Sequence, residues 1–88
     1  MLQHASHKHA AGKLKHAIRR ELEDELGKEA VHELHEVLRR CQELVEADSP
    51  LELRSVLGDL NVAEHLGLEW VESHPAVLPY IEELESLL

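Results

Sequence analysis

Apolar residues recur along most of this chain at intervals of three and four, the period that gathers side chains on one side of an α-helix. The pattern is clearest from about Lys28 to Ala47, where Ala30, Val31, Leu34, Val37, Leu38, Cys41, Leu44 and Val45 form a broad stripe. Upstream, Leu14, Ile18, Leu22 and Leu26, with Ala10, Ala11 and Ala17 beside them, predict a first helix over about Ser6 to Leu26. No stretch alternates β-branched or aromatic residues at period two, and no Asn-Gly or Asp-Gly hairpin signal occurs. An all-α fold is expected.

Gly27 poses the first topological choice. Glycine commonly stands just past a helix end, which favours a break. Against it, Glu23, Asp24 and Glu25 would crowd a helix C-terminus, and no Ser, Thr, Asp or Asn stands ready to cap a start at Lys28. The ridge Leu14, Ile18, Leu22, Leu26, Ala30, Leu34, Leu38 decides for the break. Spaced by fours, it winds about 240° around a straight helix, more than one partner surface can follow. Two long N-terminal helices forming a hairpin are therefore expected. The alternative is one helix of roughly 60 Å that completes its core as a dimer.

The second half is more broken. Ser49 can cap, Pro50 suits a first helical position and Glu52 completes a capping box, opening a helix to about Leu57 that buries Leu53, Val56, Leu57 and Leu60. Asn61 with Glu64 offers a second box, closed by Gly67. Leu68, Trp70 and Val71 belong to a short helical turn or packed loop. The last segment carries Val77, Leu78, Ile81, Leu84, Leu87 and Leu88, and Pro79 fits it only if the helix starts near Leu78. The expected architecture is a single domain over residues 1–88, a small bundle of about four to six helices, with residues 1–9 a frayed, basic, histidine-rich arm.

Composition narrows the picture. One Tyr, one Trp and no Phe in 88 residues mean an aliphatic core. Cys41 is the only cysteine, which excludes an internal disulfide and a cysteine-based zinc site. No apolar run reaches the ~18–20 residues of a membrane span and no signal-peptide pattern follows Met1, so a cytoplasmic protein without membrane contact is expected. Charge is placed unevenly. Residues 1–20 hold Lys8, Lys13, Lys15, Arg19 and Arg20 with no acid, whereas the rest sets four basic against eighteen acidic residues, within a total of −9. The basic stretch can contact an anionic partner or fold back on its own acidic body, and the tethered body is the nearer partner.

Candidate chemistry is sparse. His4, His7 and His9 are weak candidates for a metal, but on a helix His9 points away from the face shared by His4 and His7. Glu29 and His32 repeat the Glu-x-x-His spacing of di-iron bundles, yet His32 lies opposite the stripe, and Glu72 stands too close to His74 to supply a second copy. Glu36 with Arg40 and Arg39 with Glu43 are expected as solvated i,i+4 pairs. With no glycine-rich loop and no base beside Cys41, neither an enzyme nor a bound cofactor is expected. The leading expectation is a helical protein–protein interaction module, self-associating as a homodimer or binding another protein through Val31, Leu34, Leu38, Cys41, Val45, Leu84, Leu87 and Leu88. The alternatives are a regulator touching nucleic acid through Lys8, Lys13, Lys15, Arg19 and Arg20, an acidic mimic of nucleic acid, and metal binding by the N-terminal histidines.

Overall fold

A computed structural model describes residues 6–23 and 27–88. Among these, six α-helices and one 3-10 turn account for the regular structure, and no strand occurs. The helices are α1 (Ser6–Leu22), α2 (Lys28–Glu46), α3 (Pro50–Leu57), α4 (Val62–Leu66), α5 (Leu68–Ser73) and α6 (Leu78–Glu85), with the 3-10 turn Pro75–Val77 leading into α6. Helix α1 packs chiefly on α2 and α6, and the short helices close the remaining side of the core.

The first helix stops earlier than its apolar spacing suggests. Ending at Leu22 leaves Arg19 and Arg20 in the last turn, where the helix dipole favours cations, and keeps Glu23 out of it. Asp24, Glu25 and Leu26 lie outside the described residues. Gly27 is extended (φ −91°, ψ 147°) and precedes α2 without a side-chain cap, consistent with the lack of a capping residue there.

Later boundaries follow local hydrogen bonds. Ser49 accepts from the Glu52 amide at 3.1 Å, with Pro50 at the first helical position. The Glu52 carboxylate accepts from the Asp48 amide at 3.0 Å, one residue before the capping-box partner expected. Asn61 and Glu64 close a full box, at 2.7 and 2.9 Å. Gly67 ends α4 and precedes α5 at φ 125°, backbone that an L side chain rarely adopts. Pro79 sits in the first turn of α6, where its missing N–H costs nothing.

The core is aliphatic. It joins Ala10, Ala11, Leu14 and Ile18 of α1 to Leu34, Val37, Cys41 and Leu44 of α2, and these to Leu53, Val62, Leu66, Trp70, Val71, Val77, Ile81 and Leu84. Two expected members are absent from it. Val56 and Leu60 are 39% and 48% exposed. Helix α3 is only two turns long and spends its inner face on Leu53 and Leu57, while Leu60 follows the left-handed turn at Gly58 and so leaves the helical period.

Candidate docking surface

The structure divides the α2 stripe. Leu34 and Cys41, together with Leu84 of α6, are fully buried in the chain's own core and are not accessible to a partner. That corrects the expectation that the whole stripe was available: α1 and the C-terminal helices cover its centre. Val31, Leu38, Val45 and Leu88 are half-buried at its margins, and Leu87 is exposed. Burial pushes the Cys41 thiol up to about 12, with only a small opposing effect from the Lys15 charge, so it packs as a neutral thiol.

The basic stretch is largely engaged by the body. Lys8 donates to the Val45 carbonyl at 3.2 Å and pairs with Asp48 at 3.2 Å. Lys13 meets both oxygens of Glu83 at 3.0 Å. Lys15 donates to Gln42. These contacts tie α1 to α2 and α6, whereas Arg19 and Arg20 are exposed. Of the expected arm over residues 1–9, the described part, Ser6–His9, belongs to α1, with His7 buried and Lys8 held at the end of α2; residues 1–5 lie outside the described residues.

Of the three N-terminal histidines, two are described. His4 lies outside the described residues, His7 is buried and His9 is exposed. Among the described residues, no three His, Cys, Asp or Glu side chains come close enough to hold a metal ion. His7 is 3% exposed, and among the described residues its Nε2 has no hydrogen-bond partner. Its position was legible in the sequence, since His7 shares a helix face with Ala10, Ala11 and Leu14, but its depth was not.

The two i,i+4 pairs expected on α2 give way to other partners. Arg39 bonds Glu36 at 2.7 Å, three residues back. The Arg39 hydrogen bond and charge hold the Glu36 carboxyl below its usual range, and Glu36 in turn raises the Arg39 guanidinium. Arg40 instead donates to the Leu66 carbonyl at 3.1 Å, meeting an orphan acceptor at the end of α4. Glu43 meets His65 at 3.1 Å. His74 stacks on Trp70 with ring centroids 4.2 Å apart and donates from Nδ1 to the Trp70 carbonyl at 2.8 Å.

Helix α3 stands between two open grooves that the sequence does not reveal. One, about 320 Å³, has Leu57, Leu60 and Leu88 as its apolar lining, with Arg54 and Glu85 beside them. The other, about 450 Å³, sets Ala47 and Val56 among Glu43, Glu46 and Glu52. Leu51, at the start of α3, is 78% exposed. Leu51, Val56 and Leu60 thus present apolar surface to solvent within ten residues, beside a concentration of carboxylates. No family model, curated protein or solved structure matches this chain. None of the described helices is long and apolar enough to cross a membrane.

Proposed function

We propose that this protein is a non-enzymatic docking module, in which α1 and α2 form a helical hairpin scaffold that presents α3 and the C-terminal leucines to a partner protein. The observation that carries this reading is the exposure of Leu51, Val56 and Leu60 around α3. Full burial of such a side chain from full exposure is worth about 1.5–3 kcal/mol, and with Val56 and Leu60 already more than half covered a partner surface recovers less than half of that at each. Of the residues expected from sequence, Leu88 lines the groove beside Leu57 and Leu60, and Leu87 is exposed.

Charge selects the partner. Two copies of a chain carrying −9 repel one another, and the groove holding Val56 is rimmed by Glu43, Glu46 and Glu52. The complementary ligand is a basic amphipathic helix, with its apolar face on Val56 and Leu60 and its cations over the carboxylates. The nucleic-acid alternative has less support, because residues 1–20 hold no Phe, Trp or Tyr on which a base could stack.

Calorimetry with a model peptide of alternating Leu and Lys blocks tests the reading. A scrambled peptide of equal charge serves as the control. The amphipathic peptide should bind at least tenfold more tightly than the scrambled one, and Val56→Gln with Leu60→Gln should remove that advantage. Equal binding of the two peptides refutes the proposal. A sedimentation-detected dimer that Leu60→Gln dissolves refutes the choice of partner and assigns the surface to a second copy.

A further inference from the structure

A different face of the molecule has a chemistry of its own. An open depression of about 670 Å³ lies on the outer side of α1 around Gly12, with Tyr80 of α6 at one edge. Its polar lining consists of Lys8, His9, Lys13, His16 and Tyr80. Among the described residues it includes no carboxylate, on a chain where eighteen of 88 residues are acidic. Ammonium, phenol and imidazole groups all supply N–H or O–H donors, and the two lysines add fixed positive charge. The matching ligand is an anion with several acceptor oxygens.

Two of the chain's own carboxylates already sit at the rim. Glu83 places both oxygens 3.0 Å from Lys13 Nζ, and Asp48 lies 3.2 Å from Lys8 Nζ. They show that oxyanions reach these ammonium groups without rearrangement of the backbone. Solvent-accessible ion pairs of this kind contribute only about 0–1 kcal/mol, so an anion of higher charge displaces them at small cost. Gly12 supplies an independent observation. A glycine inside a helix costs about 1 kcal/mol relative to alanine, and a Cβ at this position would meet nothing within 4 Å. Packing therefore does not account for glycine here, whereas a side chain would rise from the floor of the depression.

We infer that this depression is a binding site for a small phosphorylated molecule, with phosphate oxygens between Lys8 and Lys13, His9 and His16 donating beside them, and Gly12 as the floor. The volume falls in the range of small-molecule sites and exceeds what one orthophosphate fills. A second depression beyond Ala17 and Tyr80 sets Arg20 beside Glu21 and Glu23, so the carboxylate-free face is confined to the first depression.

Calorimetry at low salt with tripolyphosphate and with ATP provides the test, using the full chain. At least one probe should bind, and Lys13→Gln combined with His16→Gln should weaken it at least tenfold. Gly12→Leu should abolish binding while leaving the thermal midpoint unchanged or higher, which separates occlusion from misfolding. Glu83→Gln, which removes the internal competitor, should tighten binding about two- to fivefold beyond the effect of the charge-matched Glu72→Gln. Equal binding of the two probes identifies the phosphate chain as the recognised part, and preference for ATP places its organic part against Tyr80. Absence of binding by both probes, or binding that Gly12→Leu leaves intact, overturns the inference. Tighter binding per phosphate to a single-stranded oligonucleotide also overturns it, in favour of a nucleic-acid surface.

Discussion

His7 allows a sharp test of how the core is built. It faces the interior beside Ala10, Ala11 and Leu14, is 3% exposed, and leaves Nε2 without a partner among the described residues. A buried polar atom with no hydrogen bond costs about 1–3 kcal/mol, so His7→Leu removes that penalty and adds apolar contact. The change of shape from a flat ring to a branched chain returns up to about 1.5 kcal/mol. The net expectation is stabilisation of about 1 kcal/mol, or about 4–8 °C in Tm for a chain of this size. Urea unfolding followed at 222 nm, with a parallel thermal scan, measures it, and the m-value should not change. His9→Leu is the control, because an exposed substitution on the same helix should stay within about 0.5 kcal/mol. If His7→Leu lowers stability by 1 kcal/mol or more, Nε2 has a partner in solution and the reasoning fails.

Three further outcomes follow from the same geometry. Arg40→Ala should cost about 1–2 kcal/mol by removing the bond to the Leu66 carbonyl and the packing of its stem, measurable by urea unfolding, whereas Arg39→Ala, at a solvated pair, should leave the urea midpoint unchanged. Asn61→Ala should cost about 1 kcal/mol through loss of the capping box, with faster amide exchange at the start of α4. Burial raises the Cys41 thiol to about 12, above its unfolded range near ~8.5, so its contribution is complete below that range and is lost as pH rises toward 12. The loss should approach about 1.4 kcal/mol per pH unit in that window and vanish in Cys41→Ala; iodoacetamide at pH 8 should label Cys41 only as fast as the chain unfolds.

Groups a few residues apart govern the part of this fold that is legible in the order of residues. Helical period, the Ser49–Pro50 start, the Asn61–Glu64 box and the turn at Gly67 all rest on backbone bonds and dihedral limits within one turn, and each is visible in the order of residues. The local pattern also defined the apolar stripe of α2, but it did not identify what covers that stripe. Tertiary structure decided that α1 and the C-terminal helices bury Leu34, Cys41 and Leu84, and that Val56 and Leu60 stay in water. It likewise sent Arg40 to a carbonyl 26 residues away and Lys13 to a carboxylate 70 residues away. A periodic pattern specifies which side of a helix avoids water, but burial and ion pairing depend on which distant segment arrives there. The grooves beside α3 and the depression on α1 belong to this second kind, since a groove exists only between elements that have already packed.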